Sequence, residues 1–101
     1  MKKYEFTEGT KVVNGVTLHR IKALVDFGIV KKGDLGGWIE KEDNLSHNDD
    51  AWVSGNAEVY ENARVYGNAW VSGNAWVSGN AEVYENARVY GNAWVYGNAW
   101  V

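Results

Sequence analysis

Residues 51–101 repeat with a period of six that never drifts, a rule that few architectures can satisfy. Each unit reads Ala-x-Val-x-(Gly/Glu)-Asn. Ala recurs from Ala51 to Ala99 and Val from Val53 to Val101, and Asn closes every complete unit from Asn56 to Asn98. Eight full units precede a closing Ala99-Trp100-Val101. Ala and Val lie two apart, so on an extended strand they share one face while the residue between them points the other way. Gly and Asn tolerate positive φ and can turn a tight corner. One hexapeptide is therefore a short strand plus a corner. Three units make a triangular coil of 18 residues, with Ala at the crowded corner and Val filling the prism. Period six does not match 3.6, and repeated Gly-Asn breaks helices, so a helical reading fails. A meander would need turns of alternating direction, which identical corners do not supply.

The array uses only Ala, Val, Asn, Gly, Trp, Tyr, Ser, Glu and Arg, whereas residues 1–50 hold every Lys, Leu and Ile and both His. The formal net charge is −3, divided as −1 and −2 between these halves, too mild for a nucleic-acid surface. With no Cys, neither a disulfide framework nor a thiolate metal site is available. No apolar run approaches the ~20 residues of a membrane span, and Met1-Lys2-Lys3-Tyr4-Glu5 has no signal-peptide core behind it. The expectation is a soluble, cytoplasmic protein with no cofactor, metal, nucleic-acid or membrane partner.

The end of a solenoid exposes strand edges and an open core, so it needs a cap. Residues 1–32 suit that task. Val12-Val13-Asn14-Gly15-Val16-Thr17 reads as a hairpin turning at Asn-Gly. Val16 to Phe27 reads as a strand packing on the first coil, with a short helix within 20–26 as the alternative. Tyr4 and Phe6 alternate with polar residues, as on an edge strand. Residues 33–50 read as one imperfect coil in phase with the regular array of 51–101, placing Ile39 and Leu45 at the Ala position and Leu35 at the Val position. Residues 33–101 then form roughly four coils, a rod of about 20 Å at ~4.8 Å per strand.

With 18 residues per coil, position n stacks on n+18. Asn56, Asn74 and Asn92 then form one ladder, Asn62, Asn80 and Asn98 another, and Asn68 meets Asn86. The outward columns are Trp52–Trp70–Arg88, Glu58–Trp76–Trp94 and Arg64–Glu82–Trp100, the last with a surface ion pair. A second self-match has a different offset. Residues 51–77 match 75–101 at 26 of 27 positions, differing only at Ser72 and Tyr96. That offset of 24 is four hexapeptides, not a whole number of coils. It keeps the core in register and moves the outward residues by one face. A catalytic constellation tied to one face would not survive the operation, so the array reads as built for shape.

The Val-x-Gly-Asn-Ala-x phrasing resembles the hexapeptide repeat of left-handed parallel β-helices, many of which are acyltransferases and some γ-class carbonic anhydrases. The leader, through Lys3-Tyr4-Glu5-Phe6, Leu18 to Phe27, Gly36-Gly37-Trp38-Ile39 and Asn44-Leu45-Ser46, resembles the N-terminus of uncharacterised bacterial and phage hexapeptide-repeat proteins that are acyltransferase-like. General crossover rules favour the right hand, so the left hand is an implication of the resemblance. The anhydrase pattern wants three zinc-binding His, and the array has none. His47 is the one candidate for an acyltransferase general base, the bland reading being a turn residue. No loop excursion interrupts 51–101 to shape an acyl-donor site. Glu58 with Glu61, and Glu82 with Glu85, read as solvated surface. The acidic residues Glu40, Glu42, Asp43, Asp49 and Asp50 read as a solvated loop without calcium spacing. Gly33-Asp34-Leu35-Gly36-Gly37 reads as turning room beneath Trp38 rather than a phosphate loop.

Ten outward aromatics remain: Trp52, Trp70, Trp76, Trp94 and Trp100, with Tyr60, Tyr66, Tyr84, Tyr90 and Tyr96. They can stiffen the coils, drive association or platform sugars. The sequence thus points to an all-β, left-handed parallel β-helix with an N-terminal hairpin cap, acting as a non-enzymatic structural or interaction module. Its open C-terminal coil is expected to meet a second copy end to end, with a trimer or another protein as alternative partners. An acyltransferase-like enzyme and a carbohydrate-binding module are the rival readings.

Overall fold

The computed structural model describes residues 2–101. Two long strands open the chain, β1 (Tyr4–Val13) and β2 (Val16–Ala23), and β3 (Leu35–Ile39) follows. Eight two-residue strands then recur at the repeat spacing. They are β4 (Trp52–Val53), β5 (Glu58–Val59), β6 (Arg64–Val65), β7 (Trp70–Val71), β8 (Trp76–Val77), β9 (Glu82–Val83), β10 (Arg88–Val89) and β11 (Trp94–Val95). Among the described residues the only other regular element is a 3₁₀ turn over Glu42–Asn44.

Parallel pairing divides these strands among three faces of a solenoid. On the first face Trp38 pairs Glu58, Glu58 pairs Trp76, and Trp76 pairs Trp94. The second runs Leu45, Val65 and Val83, with Glu82 bridged to Trp100. The third pairs Trp52 with Trp70 and Trp70 with Arg88. Within the array every step is 18 residues, as the repeat predicts. Three coils are complete, and two faces of a fourth follow. The Val of each unit from Val53 to Val83 and the Ala from Ala51 to Ala81 are at most 1% exposed and form one continuous core. The amide after each corner donates one coil up, as in Asn56 N–H to Gly73 O (2.9 Å) and Asn62 N–H to Gly79 O (2.9 Å), so the corners are hydrogen-bonded too.

Positive φ falls on the fifth residue of each unit rather than on Asn: Gly73 stands at 69°, and Glu61 and Glu85 adopt 60° and 55°. Glycine suits this position twice over, because a Cβ at Gly73 would also meet the Gly91 nitrogen at 2.9 Å. The Asn side chains behind these corners form the expected ladders from the second coil on, with amide contacts Asn62–Asn80 (3.3 Å), Asn80–Asn98 (3.3 Å), Asn68–Asn86 (3.4 Å) and Asn74–Asn92 (3.5 Å), whereas the expected Asn56–Asn74 rung is not hydrogen-bonded.

The imperfect coil departs from the expected phase. Ile39 pairs Val59 and Leu45 bridges Val65, steps of 20, so both occupy Val positions, and Leu35 is exposed. Val53 returns to a step of 18 against Val71. Two additional residues therefore lie between Leu45 and Val53, and the non-repetitive segment 46–51 absorbs them. Gly36 and Gly37 are sites of close approach. A Cβ on Gly36 would meet Ile21 Cγ1 at 2.6 Å and Val53 O at 2.7 Å, and one on Gly37 would meet Ala57 O at 2.7 Å.

β1 and β2 form the expected hairpin, with Asn14 and Gly15 both at positive φ, as a two-residue turn in a twisted ribbon requires. The strand expected over Val16 to Phe27 ends at Ala23, where the chain turns, no helix forms within 20–26, and β1 is an edge strand. The hairpin continues the first face, antiparallel, in the sheet order β1-β2-β3-β5-β8-β11. Ile21, Ala23, Tyr4 and Val30 close the end of the prism. A register shift between Phe6 and Thr10 bends β1, and Gly9 lies where a Cβ would come within 3.3 Å of Arg20 Cβ. Beyond that bulge the hairpin tip is an arm lying over the outer side of the first face. The molecule is accordingly squat, 32 × 29 × 23 Å.

Candidate functional site

Two regions carry chemistry, and the first surrounds His47. Segment 46–51 lacks ladder partners of its own kind, so side chains hold it. Lys3 Nζ donates to Asp49 O (2.6 Å) and Ala51 O (2.5 Å), lies 3.7 Å from Asp49 Oδ1 and sits 4.7 Å from the Phe27 ring centre. Lys3 is only 4% exposed, and that burial, partly offset by Asp49 and Asp50, brings its pKa down to about 8. Tyr4 stacks on His47 at 4.0 Å and donates its hydroxyl to Leu45 O (2.5 Å), and burial pushes its pKa up. The Lys3 amide donates to His47 Nδ1 (3.2 Å), which fixes a lone pair on that nitrogen. The proton then resides on Nε2, which faces Glu42 Oε1 at 2.8 Å. Glu42 is held below the usual carboxylate range by Lys2 first and His47 second. Both ring nitrogens of His47 are thus engaged in fastening the leader, an arrangement that leaves no free lone pair for a substrate proton.

Of the acidic residues here, Glu40, Glu42 and Asp49 are structural, whereas Asp43 and Asp50 are exposed. Asp49 Oδ2 accepts the Gly67 amide (2.6 Å), and Glu40 Oε1 accepts the Glu61 amide (2.7 Å). Asn44, fully buried, spends its whole amide on backbone: Oδ1 accepts from Glu40 and Lys41, and Nδ2 donates to Glu61 O and Ala63 O. Sequence reasoning missed this residue, because the first coil steps by 20 onto the next and Asn44 therefore lies outside the Asn ladders. Among the described residues no group of His, Asp and Glu could hold a metal ion.

The outer aromatic surface is the second region, and the structure divides its ten members. Trp52 is 2% exposed, shut beneath Phe27 (5.3 Å) and Tyr4 (6.3 Å), so it belongs to the cap interior. Tyr60 is 4% exposed beneath the hairpin arm, where its hydroxyl meets Asn14 Nδ2 at 3.5 Å. These two are corrections: a side chain that points away from the prism is not exposed where the leader folds over it. Trp70, Trp76, Tyr66 and Tyr84 are half-buried, whereas Tyr90, Trp94, Tyr96 and Trp100 are exposed.

Trp76 and Trp94 stack at 5.0 Å with 2° between planes, and Tyr66 and Tyr84 at 5.6 Å with 12°. A spacing near that of adjacent strands, with parallel planes, means that the ring faces cover one another along the axis. Beside the first pair, Asn14, Tyr60, Trp76, Ser78, Trp94 and Tyr96 border a cleft of about 270 Å³ with no charged side chain.

The same arm corrects the reading of Glu58. Lys11 Nζ contacts Glu58 Oε2 at 2.6 Å and lies 4.6 Å from the Trp38 ring centre, and Glu58 is 6% exposed with Oε1 unpartnered. Arg64 and Glu82 are adjacent in register as expected, but they form no ion pair. Glu82 Oε1 instead accepts the Tyr66 hydroxyl (2.7 Å), which raises the Tyr66 pKa.

Among known families, the model of the YdcK beta solenoid repeat matches residues 57–73, 63–79, 81–97 and 87–101. Within each pair the matches start six residues apart, the period of the array. The chain is a β-solenoid repeat protein, similar to that family through its array. No curated protein matches it.

Proposed function

We propose that this protein is a non-enzymatic structural and interaction module: a rigid β-solenoid that presents outward aromatic residues and associates with a second copy through its C-terminal coil. The observation that carries the reading is the continuity of the scaffold. An unbroken Ala/Val core and hydrogen bonds at strands and corners fix outward residues at regular spacing. Association rests on the coil of residues 88–101. Large aromatic side chains are exposed on this coil at Tyr90, Trp94, Tyr96 and Trp100, a surface that favours association. Lack of cysteine suits a reducing, cytoplasmic setting.

Solution mass by light scattering over a concentration series tests the reading. A dimer that dissociates on dilution is expected. A stable trimer would favour the acyltransferase-like alternative, in which His47 would have to give up its bond to the Lys3 amide to act as a base. A monomer at every concentration removes self-association.

A further inference from the structure

The chain contains the same outward surface twice, and only one copy is covered. Residues 57–71 and 81–95 are identical, so Glu58-Val59-Tyr60 recurs as Glu82-Val83-Tyr84, and Trp76, stacked beneath Glu58, recurs as Trp100 beneath Glu82. Because the copies are offset by 24 residues and the coil by 18, the first lies on the first face and the second on the second face. Val59 and Val83 are both fully buried, so both copies direct Glu and Tyr outward. On the first face the arm seats itself over this surface, with the Lys11 ammonium 2.6 Å from Glu58 Oε2. The second face has no such cover. Glu82 and Tyr84 are half-buried, the Glu82 carboxylate receives the Tyr66 hydroxyl, and a shallow depression of about 520 Å³ opens beside Glu82. Glu42, Asp43 and Glu82 line that depression against Arg64 and His47, and Lys2 is already paired to Glu42, so its charge favours a cation.

We propose that this second-face surface docks an extended, lysine-bearing strand of a partner protein, its ammonium on Glu82 and its flank against Tyr84 and Trp100. The arm on the first face is the internal precedent for the occupant. One neighbour differs between the seats. Trp38, which lies under Lys11 at 4.6 Å, is replaced in the second seat by Arg64, one step back in register. Arg64 repels the incoming lysine and sets a lower affinity. The inference builds on the interaction-module reading, but it does not depend on association through the C-terminal coil, so the two fail separately.

The probe is a synthetic peptide of residues 8–19, the arm itself, titrated into the full chain while amide shifts are followed by NMR. Saturable shifts centred on Glu82 and Tyr84 are expected, with Kd about 1 mM. Glu82→Gln, or Ala at Lys11 of the peptide, weakens binding about tenfold, and Arg64→Ala tightens it. Circular dichroism verifies that each variant keeps its fold. Three results overturn the proposal: no saturable shift, shifts insensitive to Glu82→Gln, or shifts centred on Glu58 and Tyr60, which would mean displacement of the chain's own arm. A peptide-free dimer abolished by Glu82→Gln would likewise replace the partner protein with a second copy.

Discussion

Lys3 is the residue whose environment most departs from that of a surface lysine. Its ammonium is buried on two carbonyls and an aromatic ring, with a pKa of about 8 against 10.5 in the open chain. Between those values the unfolded chain binds more protons than the folded one, so stability rises with pH across that window. The cost of burying the charge is fully present below pH 8 and is relieved by about pH 10.5, an effect of about 3 kcal/mol. Tyr4 acts in the opposite sense. Its raised pKa keeps the folded state protonated where the unfolded one ionises, so stability falls as pH rises through 10. The urea midpoint should therefore climb from pH 8, peak at about pH 10 and decline beyond it. Lys3→Met should flatten the climb and leave the decline. A midpoint independent of pH over that range would mean that Lys3 is solvated.

At the scale of elements, the arm is fastened by a half-buried ion pair, Lys11 with Glu58. Lys11→Ala strands the Glu58 carboxylate, whose second oxygen already lacks a partner, and should cost about 2 kcal/mol in chemical denaturation while raising the exposure of Tyr60 to quenchers. Lys11→Met with Glu58→Leu should recover most of the loss, because removing both charges also removes the penalty. An unchanged midpoint for Lys11→Ala would show that backbone pairing alone seats the hairpin.

The array elements were legible in the sequence because each position is specified by its own repeat: Ala and Val by volume, the fifth residue by φ, the outward column by the step of 18. The Asn14-Gly15 turn was legible for the same local reason. The first coil was not. Its phase is set by two residues inserted between Leu45 and Val53, and their effect is absorbed by Lys3, Asp49 and Asn44 through contacts distant in sequence. The burial of Trp52, Glu58 and Tyr60 was equally hidden, since it depends on the path of the leader, which the bulge near Gly9 redirects.

At the scale of the whole molecule, a solenoid holds each coil only through its neighbours, so stability should be graded along the axis. The middle coils, with Val59, Val65, Val71 and Val77 fully buried and paired on both sides, should exchange amide hydrogens slowest. In the coil of residues 88–101, Val95 and Val101 are partly open, and exchange there should be fastest. Uniform protection along the array would mean that the solenoid opens only as one cooperative unit.

The mismatch between the 24-residue copy and the 18-residue coil has an evolutionary consequence. Each hexapeptide fits any side of the prism, so gaining or losing one unit is an in-frame event that the core does not register. Everything downstream nevertheless turns by one side, and each outward Trp, Glu or Arg acquires new neighbours above and below. Slippage during replication, which usually ruins a globular domain, here works as a ratchet. Each click leaves the frame intact and deals the exterior a different hand.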